Sequence, residues 1–140
     1  MPYCTRTDVE AFWNPTAVLK AADDNDDNTL SPTEETYIAR AIERGAQEIN
    51  AFLEMRFAPA DLDDNAWCRD ANAILAAYHL CARSGDDIPL TLYSRYREVL
   101  SRLADIRDGR LKIISDAQAA DTAASVSNFT VRGGSLRPLR

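Results

Sequence analysis

Residues 31–57 read SPTEETYIARAIERGAQEINAFLEMRF. Ile38, Ile42, Gly45, Ile49 and Phe52 recur at steps of three, four and seven, so the stretch predicts one amphipathic helix over about 32–57 with a single inward stripe. Ser31, Pro32 and Glu34 supply an N-cap, a first-turn proline and the acid of a capping box, which pairs two backbone donors that a helix start leaves open. Gly45 stands within the apolar stripe. A glycine there costs about 1 kcal/mol relative to alanine, so its expected use is close approach by a second helix.

Other helices are legible on either side. Thr7, Asp8 and Glu10 read as a capping box for a first short helix carrying Val9, Phe12, Trp13, Ala17, Val18 and Leu19, which Pro15 either breaks in two or kinks because Asn14 is pushed out of helical geometry. The run DDNDDN at 23–28 is a loop before the long helix. Ala58-Pro59-Ala60 ends that helix, and the acidic turn 61–65 can cap the next. From 65 to 83, Trp67, Ala71, Ile74, Tyr78 and Cys81 form one stripe, while Leu75, Ala76, Ala77 and Leu80 make other sides apolar, so this helix is expected to be buried nearly all round. Gly85 stops it. Pro89 opens a last helix with Leu92, Tyr96, Val99, Leu103 and Ile106 on its stripe and Arg95, Arg97, Arg102 and Arg107 off it, and Gly109 closes it. The predicted fold is all-α: a small helical bundle built round one long helix (1–112), followed by an extended C-terminal tail (113–140) in which residues 128–132 allow one short strand.

At 140 residues one core suffices, and 46% hydrophobic with 27% charged residues is ordinary globular composition. A formal charge of -6 argues against a protein that wraps nucleic acid by neutralising phosphates. No secretory signal is read, and the longest apolar run, 73–82, contains His79 and is too short for a membrane span, so a cytosolic product without a membrane partner is expected. Cys4, Cys68 and Cys81 form no CxxC pair and read as reduced thiols that fill space.

The sharpest chemical pattern places Asp24, Asp26, Asn28 and Glu35 at positions 1, 3, 5 and 12 of a calcium-type loop. Thr29 occupies the position that needs glycine and Ser31 the one that is usually aliphatic, so the plainer reading, a solvated acidic loop before a capped helix, is preferred. No metal or cofactor is expected. His79, the chain's single histidine, has no nucleophile motif beside it and is assigned to core packing with Cys81. With no paired acid and base and no phosphate loop, an enzyme is not expected. Two surfaces offer opposite charge. Asp23, Asp24, Asp26 and Asp27 form an acidic loop suited to subunit contact, and the basic tail reads either as a free terminus or as a partner-docking arm that would use Phe129, Val131, Arg132, Leu136, Arg137 and Arg140, the reading that the family resemblance below favours.

Four segments, YCTRTDVEAFW (3–13), RAIERGAQEINAFLEMRF (40–57), ANAILAAYHL (71–80) and RYREVLSRLADIRDGRL (95–111), occur in an order and spacing that resembles the Mu-like phage and prophage virion proteins related to the head-tail connector, or adaptor, family. The resemblance covers about residues 3–112 and does not extend into the tail. It implies a structural, non-enzymatic protein made in the host bacterial cytoplasm and placed in the neck of the virion. There it would form a homo-oligomeric ring, commonly twelvefold, between the portal protein and a tail-side stopper or tail terminator, with DNA passing only as non-specific cargo. The competing reading is a soluble helical regulatory module, using the Arg95 and Arg102 face or responding to calcium through the acidic loop.

Overall fold

The computed structural model describes residues 2–85 and 87–113, and six helices occupy most of them: α1 (Arg6–Phe12), α2 (Pro15–Ala22), α3 (Pro32–Leu53), α4 (Pro59–Leu62), α5 (Ala66–Ser84) and α6 (Leu90–Arg107). No strand occurs among the described residues, so the protein is all-α. The proposed strand at 128–132 lies outside them.

Local chemistry sets most of the boundaries. Ser31 caps α3 through its hydroxyl and Glu34 completes the box. Asn14 caps α2 with Pro15 in the first turn, so the proline divides two helices rather than kinking one. Asn65 caps α5, whose end is turned by Gly85 in the left-handed region at φ 77°. The cap of α1 is Thr5 and not Thr7: Asp8 accepts from the Thr5 backbone N–H at 2.8 Å, whereas Thr7, which has Glu10 at the same spacing, lies inside the helix and Glu10 accepts from Arg6 instead. The long helix ends at Leu53, before Phe57. There the chain loosens into a turn in which the N–H groups of Arg56 and Phe57 both reach the Leu53 carbonyl. A short α4 then inserts Leu62 into the core, at 2% exposure, where a plain turn was expected.

The axis of the bundle is the pair α3 and α5. Gly45 permits their close approach, since a Cβ on it would stand 2.7 Å from the Asn72 amide nitrogen and 3.0 Å from Leu75 Cβ. Helix α5 also packs on α1, α2 and α6, which explains the apolar character of nearly its whole surface. The core forms two clusters along this pair. One joins Val9, Val18, Ile38, Ile42, Leu80 and Leu92; the other joins Ile49, Leu53, Leu62, Leu75, Val99, Leu103 and Ile106. Phe12 packs against both.

Candidate functional site

A groove of about 390 Å³ lies between α3 and the end of α5, lined by Tyr37, Arg40, Arg44, His79, Leu80 and Arg83. Three arginines in one concavity are unusual for a chain of charge -6. Their placement follows from helix geometry. Arg40 and Arg44 are four residues apart on α3 and so share a face, just off the buried stripe that carries Ile38, Ala41, Ile42 and Gly45. Arg83 comes from the last turn of α5, whose carbonyl end favours a cation.

Arg83 closes one end of the groove. Its guanidinium donates to the Ala21 carbonyl at 3.0 Å and to Asp24 Oδ1 at 2.8 Å, and lies 3.9 Å from the centre of the Tyr37 ring. One side chain thereby ties α5 to the end of α2, the acidic loop and α3. Hydrogen bonding to Arg83 holds the Asp24 carboxyl below the usual carboxylate range. Arg40 and Arg44 take part in no ion pair or hydrogen bond among the described residues.

At the other end, His79 Nε2 meets the Glu48 carboxylate of α3. The His79 side chain is 10% exposed and packs against Tyr78 and Tyr96, and to that packing the structure adds a polar partner, because Glu48 comes within reach once α3 and α5 are packed. Next to it Tyr78 and Tyr96 stack at 3.7 Å between centroids with planes 6° apart. Burial, helped by the nearby Glu48 carboxylate, pushes the Tyr96 hydroxyl up from its usual value.

The acidic loop uses its side chains on its own backbone. Asp23 accepts from the Asn28 N–H at 2.7 Å, and Asp27 accepts from the Thr29 N–H at 2.9 Å. Asp26 and Asn28 take the left-handed conformation, at φ 60° and 63°. Glu34 turns back to accept from the N–H groups of Ser31 and Asp24, which hold its carboxyl below the usual range, while Glu35 points to solvent. The four calcium-type positions are therefore not brought together: Asp24 is engaged by Arg83, and the inward acid is Glu34 rather than Glu35. Among the described residues, no three His, Cys, Asp or Glu side chains are placed to hold a metal ion. Of the proposed subunit-contact acids, Asp26 and Asp27 are exposed, Asp24 is shared with Arg83 and Asp23 is half-buried.

Cys4, Cys68 and Cys81 are buried and reduced, and burial pushes the thiols of Cys4 and Cys68 up to about 12. The arm residues Phe129, Val131, Arg132, Leu136, Arg137 and Arg140 lie outside the described residues. No helix among the described residues is long and apolar enough to cross a membrane. The groove was not foreseen from sequence, although the like-charged Arg40 and Arg44, one turn apart on one helix face, were the available signal.

The chain matches the sequence profile of a family described as bacteriophage Mu, Gp36, over residues 3–131. No curated protein and no solved structure matches it. The match continues past residue 112, where the resemblance read from sequence stopped, so the first part of the presumed arm is also family sequence. Spanning all six helices and the segment beyond them, it shows that this chain belongs to the bacteriophage Mu Gp36 family and is a protein of the Mu-like phages.

Proposed function

We propose that this protein is a structural subunit of the virion neck, a head-tail connector that assembles as a ring on the portal and extends the DNA channel toward the tail. The observation that carries the reading is family membership over residues 3–131, which supports a phage structural or morphogenesis protein. A ring requires two different, complementary patches on every subunit, and this surface carries both signs of charge in separate places. In a channel, the net negative charge would repel duplex phosphates and keep DNA from adhering during passage.

The test is co-purification of the full chain with the portal protein of the same phage, followed by mass measurement of the complex. Stoichiometric rings are expected. A chain that fails to bind the portal or any other virion component would sink the connector reading. Truncation after Ile113 assigns the docking role: loss of binding places it in the arm, and unchanged binding removes the arm from the proposal. Tight, salt-sensitive binding of duplex DNA would contradict the repelling channel wall.

A further inference from the structure

Arg40 and Arg44 stand one turn apart on α3, a spacing at which like charges destabilise a helix, and neither is relieved by an ion pair or hydrogen bond among the described residues. They flank a groove whose other polar side chains are already committed: Arg83 to Asp24 and the Ala21 carbonyl, His79 to Glu48. What remains is net positive and concave, with Tyr37, Ala41 and Leu80 lining it beside the arginines. At the opposite end of the bundle the turn between α3 and α5 shows the reverse. Asp61, Asp63 and Asp64 are exposed, and their side chains join no ion pair or hydrogen bond among the described residues.

These two patches cannot meet within one molecule. From Arg44 and Arg40 to the end of α3 at Leu53 the helix rises about 14 and 20 Å, far beyond ion-pair reach. We infer that the Arg40/Arg44 groove receives the acidic turn 61–64 of a second copy of this chain, in a head-to-tail contact. The occupant is argued from charge: an acidic protein that leaves two arginines unpaired in a groove, and three carboxylates unpaired at its far end, carries its own complement. Because the two patches differ, the contact is heterologous and propagates until it closes, which is the geometry of a ring. The inference rests on the connector reading and deepens it. Docking would also cover the arginines that could otherwise hold DNA phosphates, leaving the acidic surface to face the duplex.

The experiment is sedimentation of the full chain, alone and with the portal protein, at low and high salt, for wild type, Arg40→Glu/Arg44→Glu and Asp63→Lys/Asp64→Lys. All four positions are exposed, so thermal melts should stay close to wild type. Wild type is expected to self-associate in at least one setting and to dissociate as salt rises. Each reversal should weaken association about tenfold or more. Mixing the two reversed chains should restore it, since each then offers the charge that the other lacks, and a chain carrying both reversals should assemble by itself. Absence of self-association in both settings, association indifferent to the reversals, or failure of the mixture to recover overturns the inference. If the reversed chains and wild type bind the portal equally and form the same rings, the groove assignment falls and the connector reading stands; if wild type does not bind the portal, that reading falls instead. Duplex DNA bound by wild type and lost in Arg40→Glu/Arg44→Glu, with self-association unchanged, would give the groove to phosphate and overturn the inference.

Discussion

Asn72 shows how much of this fold hangs on a single amide. It is fully buried in α5, where Oδ1 accepts from the backbone N–H groups of Tyr3 and Cys4 at 2.8 and 3.2 Å and Nδ2 donates to the Ile42 carbonyl at 2.9 Å. The N-terminal segment before α1, α5 and α3 are thus joined at one side chain, and Gly45 leaves the room for it. Alanine at position 45 would recover about 1 kcal/mol of helix propensity, against an overpacking cost of about 1–3 kcal/mol. The displaced atom is a hydrogen-bonded amide rather than a free side-chain tip, so Gly45→Ala should lower stability by about 1 kcal/mol or more in urea unfolding. A midpoint equal to or above wild type would refute the packing argument. Asn72→Leu should cost more, at about 1–3 kcal/mol for each buried donor left unpaired. The buried thiols make a second prediction at this scale: with Cys4, Cys68 and Cys81 at 5%, 0% and 4% exposure, and the first and second pushed up to about 12, the native protein should resist a thiol reagent at neutral pH and react at all three positions only in denaturant. Rapid labelling of one thiol in the native state would contradict it.

Among the elements, the helix starts are the part most open to sequence reading, because a cap is decided within four residues. Ser31, Glu34, Asn14 and Asn65 are recognisable for this reason, whereas Thr5–Asp8 and Thr7–Glu10 offer the same spacing two residues apart, and spacing alone does not separate the true cap, Thr5, from Thr7. What was not legible depends on partners far along the chain: Arg83 on Asp24, Glu48 on His79, and Arg56, whose guanidinium reaches the last carbonyls of α6 at Ile106 and Arg107. Likewise, spacing alone nominated Glu35 as the inward acid of the loop, whereas the helix start turns Glu34 inward. Removing the cap with Ser31→Ala should cost about 1 kcal/mol. Acid should act on the same joint. The carboxyls of Asp24, Asp27 and Glu34 are held low, by Arg83, by the Thr29 N–H and by the Ser31 N–H respectively, and that of Asp108 by Arg107. A depressed folded-state value means stability that is fully present above the unfolded value of about 4 and is lost as pH falls from there through the folded values. Urea midpoints should therefore drop below about pH 4, and Glu34→Gln should flatten that decline. A midpoint independent of pH across this window would show that these contacts do not matter to folding.

At the scale of the whole molecule, the two apolar clusters raise the question of whether the bundle unfolds as one unit or two. Periodicity showed which faces are buried, but it could not show that the buried residues divide into two groups, since that depends on how α6 and the α1–α2 pair share the surface of α5. Both clusters are built on the same two continuous helices, and Phe12 packs against both. A helix cannot give up its packing over half its length without exposing backbone and side chains of the other half, so the clusters should melt together. The chain supplies its own reporters, as Trp13 packs against the first cluster and Trp67 against the second. With Trp67→Phe or Trp13→Phe, fluorescence follows one cluster at a time. Leu80→Ala opens a cavity in the first cluster and Leu75→Ala in the second, and either should cost about 2–5 kcal/mol. In each variant the Trp13, Trp67 and helical circular-dichroism transitions should shift by the same amount and remain superimposed. If Leu80→Ala moved the Trp13 transition and left that of Trp67 in place, the bundle would be two folding units joined along α3 and α5, and the mutual support argued from their packing would be wrong.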